Sequence, residues 1–420
     1  MDKNQKLHIL HQCNIIPIDS LDATIKEGHI TIEEFIQYNL EIAKVNELKI
    51  RKGNREGVFE KQEEVKKPKI SGSTGSEPNR KTVEIQKVLN NEISVSKREN
   101  DNGDSIQECI EKKIYTYQDL IENGISEEVV KIIKNIINNP INIKSYNVGE
   151  LDEMESGRTD VFFIGLPAAG KSTMLGGLLK YAHKNGILLS DSYNPAGNVY
   201  QEQLVSNIEK GVLPKGTAEG SYNYIATSIE DRKGNPHPFN IVEVPGENYK
   251  KIHDYGIETE EVKGFVNHIK NNNKKILIFV IDSLAHDKDD RGLNQSFVYP
   301  NILSMLKNNG ILNKTDAIYL VANKFDVIKK DRYNGINKSD LELADEFLEN
   351  AFKSLIKNCQ HARKEVRKEF TIRVLPFSIG AVLFDKVLEK YTEEYSKTLM
   401  NYLLEDSFVP KGGIPWKKIF

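Results

Sequence analysis

The sequence has little cysteine and no long apolar run. Its three cysteines, Cys13, Cys109 and Cys359, are too far apart for a metal-binding spacing or a disulfide framework, which fits a reducing compartment. The first ten residues, MDKNQKLHIL, lack the apolar core of a signal peptide, and no apolar window of about 18 residues follows. The sequence therefore predicts a cytoplasmic protein without an integral membrane segment.

An excess of charge of one sign is also missing. The 420 residues include 58 Lys and Arg against 61 Asp and Glu, a net charge of -3. Proteins that bind nucleic acid usually carry a basic face, so this balance argues against nucleic acid as the main partner. Hydrophobic residues make up 39% of the chain, which is lean for a fully packed protein and predicts a polar segment outside any core.

That polar segment is residues 51–105. It is charged, contains Gly, Ser and Pro, and is poor in aromatic residues. Such a segment cannot bury enough apolar area to offset the entropy cost of ordering it. The composition predicts a flexible, disordered linker.

Two similar helical patterns lie on either side of this linker, in residues 1–50 and 106–150. In each, a helix ends at Ile-x-x-Gly, and a Thr or Ser followed by a pair of Glu starts the next helix; in the second pattern these are Gly124 and Ser126. The sequence predicts two small helical hairpins. They are either docking modules for a protein partner or a recurrent way to turn between helices, and both interpretations stay open.

Residues 155–405 alternate between strands and helices. Apolar runs predict six strands, at 161–165, 222–228, 239–244, 275–282, 317–322 and 372–378. Amphipathic stretches predict helices at 172–184, 298–307, 340–358 and 382–404. This alternation predicts a three-layer α/β domain with a mostly parallel sheet, in which the second and third strands form an antiparallel hairpin. Residues 406–420 form a C-terminal tail.

A phosphate-binding loop follows the first predicted strand. The segment GLPAAGKS at 165–172 matches G-x-x-x-x-G-K-[ST], with a strand before it and a helix after it. Its backbone N–H groups and the helix N-terminus suit phosphate oxygens, Lys171 suits the outer phosphates, and the Ser172 hydroxyl suits Mg²⁺. The residues predicted to bind here are Gly165, Ala168, Ala169, Gly170, Lys171, Ser172 and Thr173.

A second motif selects the base. The strand at 317–322 runs into Asn323-Lys324-Phe-Asp326. The carboxylate of Asp326 can accept two hydrogens from N1 and the exocyclic amine of guanine, which adenine does not offer in that arrangement. Asn323 would connect the base loop to the phosphate loop, and the stem of Lys324 would cover the purine face. The motif predicts GTP and GDP as ligands.

With both motifs in view, residues 155–405 resemble a P-loop GTPase domain of the Ras-like, translation-factor-related class. The chain is similar in plan to divergent bacterial GTPases that carry extra N-terminal helical modules. The resemblance implies a switch whose loops respond to the γ-phosphate, with Mg²⁺ as cofactor. It also implies a protein partner that binds either the helical modules or the switch loops.

The resemblance extends to weaker motifs. Glu243 stands where the family has the Asp of Asp-x-x-Gly, and implies a carboxylate near Mg²⁺. Gly246 of the same motif would donate its N–H to the γ-phosphate, and Glu247 replaces a water-orienting Gln found in many members. Thr217 is the candidate switch threonine, a ligand of Mg²⁺, and Ser378 matches the short Ser-Ala-Lys loop over the base.

Several departures from the family pattern bear on catalysis. No arginine lies between the phosphate loop and Asp231, Pro167 replaces a Gly that lets an arginine finger pass, and Ala168 stands where potassium-using relatives have Asn. With Glu247, these departures predict slow unaided hydrolysis, completed by a partner or by a second copy in a homodimer. Two alternatives remain: a nucleotide-gated scaffold that binds without turnover, and an ATPase with an accidental Asn-Lys-x-Asp.

Overall fold

The structure is a computed structural model that describes residues 9, 18–27, 29–31, 110–111, 113, 115–138, 154–189, 191–214, 216–217, 222–259, 262–285, 294–383 and 387–409. The predicted linker at 51–105 lies outside the described residues, as do most of the first predicted hairpin and most of the tail. The chain divides into two compact units, Met1–Glu77 and Pro78–Phe420. The first unit contains helix α1 (Ile18–Lys26). The predicted domain bounds stay predictions.

Helices and strands alternate through most of the second unit. Its helices are α2 (Tyr117–Glu122), α3 (Glu127–Asn138), α4 (Lys171–Lys184), α5 (Pro195–Glu209), α6 (Gly246–Tyr255), α7 (Lys263–Ile269), α8 (Gln295–Asn308), α9 (Phe325–Arg332), α10 (Asp340–Ala351), α11 (Lys353–Glu365) and α12 (Glu393–Asp406), with 3₁₀ turns at Ser283–Ala285 and Ile311–Lys314. Its strands are β1 (Thr159–Ile164), β2 (Leu188–Leu189), β3 (Asn223–Glu230), β4 (Pro236–Glu243), β5 (Lys274–Asp282), β6 (Thr315–Asn323), β7 (Thr371–Phe377), β8 (Gly380–Leu383) and β9 (Val387–Tyr391).

The central sheet has the order β2-β3-β4-β1-β5-β6-β7. Strand β1 pairs in parallel with β4 and β5, and β6 and β7 continue the parallel arrangement. Strands β3 and β4 form the predicted antiparallel hairpin. The sheet has 7 strands where the sequence predicted six, because the two-residue β2 pairs with the edge of β3.

Helices cover both faces of this sheet. Along β1, Phe162 and Ile164 point into a core formed with helices α6 to α11, whereas Val161 and Phe163 point into a second core with α4, α5 and α12. This alternation follows from the period of two residues in a strand. The predicted three-layer α/β fold is confirmed, and a parallel β1 followed by a Gly-rich loop and α4 is the architecture of a P-loop NTPase.

The helix predicted at 340–358 is two helices, α10 and α11. Phe352 lies between them with non-helical backbone angles, φ -127° and ψ 30°. Its side chain is 1% exposed and lies against Phe347, with ring centroids 6.4 Å apart. The chain therefore leaves the helix where burial of a large aromatic side chain requires it.

The prediction of a helix at 382–404 is wrong for the first half of that range. The first half belongs to the hairpin of β8 and β9. The backbone N–H of Leu388 donates to the carbonyl oxygen of Gly211 at 2.8 Å, and Val387 forms a bridge with Val212. The pattern of residues is compatible with a helix, but these contacts with a distant segment override that local propensity.

Helices α2 and α3 pack on this β-hairpin. Gly124, at φ +91°, and Ser126, which accepts a hydrogen bond from the N–H of Val129 at 3.3 Å, form the predicted turn between the helices. Leu120 and Val129 belong to an apolar cluster that also contains Val387 of β9. The apolar face of this helical hairpin is thus used within the chain. Among the described residues, no helix is both long and apolar enough to cross a membrane.

Candidate functional site

The phosphate loop curls between β1 and α4. Ala168 and Gly170 both have positive φ, 63° and 88°, which turns successive N–H groups of the loop inward. The N-cap of α4, Gly170, makes no side-chain cap, so the first-turn N–H groups, which include that of Thr173, keep their capacity to bind an anion. In the described part of the chain, Ala168, Lys324 and Lys113 are the non-glycine residues with positive φ, and two of them lie in the predicted loops.

The phosphate loop and the base loop are in direct contact. The side-chain amide of Asn323, at the end of β6, donates to the carbonyl oxygen of Ala169 at 2.7 Å. A Cβ at Gly170 would lie 2.3 Å from Asn323 Nδ2, so the approach of the two loops requires glycine there. The contact predicted between Asn323 and the phosphate loop is present.

Lys171 is buried at the base of the phosphate loop. Its ammonium group donates to the carbonyl oxygens of Gly165 and Leu166, at 2.9 and 3.3 Å. Burial lowers its pKa to about 8, although the charges of Glu243 and Glu247 act in the opposite direction. Because an ammonium has three N–H donors, two protein carbonyls leave it with capacity for a further acceptor.

Glu243 and Ser172 form a buried polar cluster beside Lys171. The Ser172 hydroxyl donates to Glu243 Oε1 in a very short hydrogen bond. The other carboxylate oxygen, Oε2, accepts from the Tyr200 hydroxyl at 2.5 Å and from Asn223 Nδ2 at 3.3 Å. Burial and the nearby charge of Glu243 raise the pKa of Tyr200 well above its usual range. The predicted metal ligands Ser172 and Glu243 therefore meet, in spite of the longer glutamate side chain.

These oxygen atoms suit a magnesium ion. Mg²⁺ prefers oxygen donors and is usually held by one or two protein groups together with phosphate oxygens and water. A hydroxyl and a carboxylate in contact at the phosphate loop are such a pair. Among the described residues, no three His, Cys, Asp or Glu side chains are placed to hold a metal ion by themselves.

The start of α6 lies against the phosphate loop. A Cβ added at Gly246 would lie 2.1 Å from the backbone nitrogen of Pro167, so no other residue fits there without movement. Pro245 provides no side-chain cap for this helix. Glu247 follows in the first turn, and its charge acts on Lys171. Gly246 therefore lies against the phosphate loop, and its predicted hydrogen bond to the γ-phosphate stays a prediction.

The base loop continues from Asn323 into α9. Lys324, at φ 57°, directs its ammonium group to Asp282 Oδ2 at 2.7 Å, which is an ion pair at the end of β5. Asp326 is half-buried in the first turn of α9. The Tyr395 hydroxyl donates to Asp340 Oδ2 at 2.5 Å, and burial, this carboxylate and the charge of Asp326 raise the pKa of Tyr395.

Two predicted residues do not join the cluster. Thr217 has a buried hydroxyl without a hydrogen-bond partner among the described residues, so it makes no hydrogen bond to Ser172 or Glu243. Ser378 follows β7, beside the end of β6, and its hydroxyl accepts the N–H of Gly380 at 3.0 Å. Ser378 thus lies at the correct edge of the sheet, whereas the role of Thr217 remains a prediction.

Three residues near the site, Tyr200, Asn223 and Asp282, were not predicted from the sequence. Asp282 ends a parallel strand, and the rule that ligands bind beyond the carboxyl ends of such strands could have identified it. Asn223 starts β3 and Tyr200 lies in the middle of α5. Neither carries a motif, so only the folded chain brings them to Glu243.

Comparisons with known proteins give distant neighbours. No protein-family model matches the chain, and no curated protein sequence matches it. The chain is similar to the signal recognition particle receptor SRb–GTP/SRX complex from Chaetomium thermophilum, with 14% identity and a TM-score of 0.31, over 59% of this chain and 99% of that one. It is also similar to nucleolar GTP-binding protein 1 from Plasmodium falciparum, with 16% identity and a TM-score of 0.29, over 61% of this chain and 90% of that one. The fold assignment rests on the sheet order and the loops described above.

Proposed function

We propose that this protein is a GTP-binding switch that hydrolyses GTP slowly, and that a partner accelerates the reaction. The observation that carries the proposal is the hydrogen bond between Asn323 and Ala169, which joins a complete phosphate-loop motif to a complete Asn-Lys-x-Asp motif. One loop suits a triphosphate and the other suits guanine, and their contact makes them parts of one site.

The phosphate chain would bind along the loop at 165–172. The uncapped N–H groups at the start of α4 and the remaining donor of Lys171 both favour anionic oxygens. At neutral pH a lysine with a pKa of about 8 still carries its charge. These features support binding of the outer phosphates at Lys171.

Mg²⁺ would be held by Ser172, Glu243 and the nucleotide, with Thr217 as a further predicted ligand. When bound, the ion neutralises charge on the phosphate oxygens. Glu243 has no role in proton transfer in this proposal. Its carboxylate orients the Ser172 hydroxyl and contributes negative charge beside the phosphate loop.

The guanine base would be recognised by Asp326, with Lys324 and Ser378 beside it. The ion pair with Asp282 fixes the Lys324 side chain, so that its stem can cover the base. Because Asp326 accepts two hydrogens that adenine lacks, the site would reject adenine nucleotides by leaving a carboxylate unpaired.

The switch would depend on Gly246 and Thr217, which would leave their positions when the γ-phosphate is lost. Gly246 packs on Pro167 with no room for a side chain, which supports a link between movement of the phosphate loop and movement of the start of α6. Glu247, a carboxylate where many relatives have glutamine, would orient water poorly. Slow hydrolysis follows, and a protein partner or a second copy of the chain would complete the site in the cytoplasm.

Competition binding tests the nucleotide assignment. We expect GDP to displace a fluorescent GDP analogue at least tenfold better than ADP, and Asp326→Asn to shift the preference toward xanthosine diphosphate. A preference for ADP would remove the GTPase assignment and favour the ATPase alternative. Single-turnover hydrolysis of GTP, with Lys171→Ala as the control, then separates a slow GTPase from a scaffold that binds without turnover. A wild-type rate equal to that of the control supports the scaffold.

A further inference from the structure

Tyr200 reaches the nucleotide site from a helix that carries none of the motifs. Helix α5 lies between α4 and β3, and Tyr200 in its middle is 2% exposed. Its hydroxyl donates to Glu243 Oε2 at 2.5 Å, on the opposite side of the carboxylate from Ser172. The carboxylate is thus held by a donor at each oxygen.

The helix that carries Tyr200 is firmly mounted on the sheet. Asn194 caps α5 by accepting the N–H of Gly197 at 3.0 Å, and its amide donates to the carbonyl oxygen of Tyr224 on β3 at 2.8 Å. A Cβ at Gly197 would lie 2.3 Å from that same oxygen. Tyr200 is one turn further along, so its position is fixed by the backbone of β3.

We infer that Tyr200 is a positioning residue that adapts this magnesium site to a glutamate. A glutamate at 243 has one more methylene group, and therefore one more rotatable bond, than the aspartate of the resembled family. The Tyr200 hydroxyl and Asn223 Nδ2 both donate to Glu243 Oε2, at 2.5 and 3.3 Å, and so fix that extra bond with Oε1 facing Ser172. This inference rests on the proposed function.

The geometry also explains why an aspartate would not serve here. Ser172 of α4 and Tyr200 of α5 donate to different oxygens of the Glu243 carboxylate. An aspartate carries the same carboxylate on a stem shorter by one methylene group, which would draw both oxygens back toward β4 and away from these hydroxyls. Groups that orient metal ligands typically change metal affinity about 10-fold or more when they are removed.

The test is the Mg²⁺ dependence of GDP binding, measured with a fluorescent GDP analogue during Mg²⁺ titration and in EDTA. Tyr200→Phe keeps the ring and removes the donor. We expect the half-saturating Mg²⁺ concentration to rise about tenfold, with affinity in EDTA nearly unchanged. Tyr224→Phe is the matched control, because its buried hydroxyl donates to Asn240 at 2.8 Å instead. It should leave the Mg²⁺ titration unchanged.

A double-mutant cycle provides the second measurement. Glu243→Asp should raise the Mg²⁺ requirement by itself, and adding Tyr200→Phe to it should have little further effect, because the shorter acid has already lost that partner. Additive effects of the two substitutions would overturn the inference, as would an unchanged titration in Tyr200→Phe. A wild-type protein that does not bind GDP would instead refute the proposed function.

Discussion

Both ends of the central sheet contain a buried lysine whose pKa burial lowers to about 8, but the two lysines differ in what surrounds them. Lys171 lies at the carboxyl end of β1, and Lys275 lies at the amino end of β5. Burial and pKa alone therefore do not distinguish a lysine that binds a ligand from one that stabilises the fold.

The lysine of the amino-end cluster is fully paired within the protein. Lys275 Nζ donates to the Asn271 backbone oxygen and to Asn271 Oδ1, at 3.0 and 2.7 Å, and to the Asn273 oxygen at 2.7 Å. Asp160 lies 3.7 Å away and accepts hydrogen bonds from Asn240 and Asn273. All three N–H donors of this lysine have protein acceptors, so Lys275 offers no donor to a ligand, while Asp160 Oδ2 has no hydrogen-bond partner among the described residues.

In the carboxyl-end cluster, by contrast, the described residues provide protein acceptors for only two of the three N–H donors of the lysine. Two backbone carbonyls accept from Lys171, and the adjacent helix α4 starts without a side-chain cap. Thr116 and Ser339 form capping boxes at α2 and α10, whereas α7, α11 and α12 start without a side-chain cap as α4 does, so the uncapped start alone does not mark the site. Lys171 has one N–H donor left for a ligand and Lys275 has none, and this difference distinguishes the two ends of the sheet.

The largest expected effect is at the amino end. Lys275→Met leaves the Asp160 carboxylate buried without its cation, and we expect it to lower the free energy of unfolding by about 4 kcal/mol. Urea unfolding of the nucleotide-free protein measures this. Lys274→Met is the matched control, since its side chain is 43% exposed and its pairing with Asp316 is weak, at 3.7 Å. A Lys275 variant as stable as the control would contradict the structural role of this cluster.

The next largest effect is on binding. Lys171→Ala should weaken GDP binding by about 3 kcal/mol, more than about 100-fold, because a charged donor to phosphate is lost. The free energy of unfolding of the nucleotide-free protein should change by less than about 1 kcal/mol. Lys184→Ala, on the same helix and 61% exposed, serves as the control. If Lys171→Ala mainly unfolded the protein, the two ends would not differ in the way described.

Much of the fold and of the nucleotide site could be predicted from the sequence, but the amino-end cluster could not. The phosphate loop, the base loop and their contact follow from two motifs, and the six strands follow from short apolar runs bounded by turns. The residues that donate hydrogen bonds to Glu243 Oε2 could not be predicted, because Tyr200 and Asn223 lie on elements without a motif. The amino-end cluster was equally hidden, because Asp160 and Lys275 resemble ordinary charged residues at strand ends until the register pairs them.

The hairpin of β8 and β9 is the clearest failure of local reasoning. Its residues have apolar spacing that suits a helix, and nothing nearby in the sequence indicates a strand. The deciding contacts come from Gly211 and Val212, far earlier in the chain, and from helices α2 and α3. Local propensity is a weak guide where such distant contacts determine the conformation.

Raising the pH above about 8 should increase the free energy of unfolding but decrease the affinity for GDP. Lys275 has a pKa of about 8 when folded and 10.5 when unfolded, so between these values the unfolded state binds more protons. The free energy of unfolding should therefore rise between about pH 8 and pH 10, by about 2 kcal/mol from this lysine. Lys275→Met should lose that part of the rise, and an unchanged slope would contradict the assignment.

GDP affinity should move in the opposite direction over the same range. Lys171 must be charged to donate to phosphate, and its pKa in the nucleotide-free protein is about 8. Above that pH, binding must first protonate it, so affinity should fall by up to about tenfold per pH unit. Titration with a fluorescent GDP analogue at pH 7, 8 and 9, compared with Lys171→Ala, isolates this contribution.

The smallest expected effect is a loss of stability that should leave the Mg²⁺ dependence of GDP binding unchanged. Tyr224→Phe removes one buried hydrogen bond to Asn240, so we expect a loss of about 1 kcal/mol of unfolding free energy. Since Asn240 belongs to the amino-end cluster, the Mg²⁺ dependence of GDP binding should not change. Tyr200→Phe should show the reverse, with a changed Mg²⁺ dependence. If Tyr224→Phe also altered the Mg²⁺ titration, the two clusters would be coupled through β4, which carries both Asn240 and Glu243, and they could no longer be treated as independent.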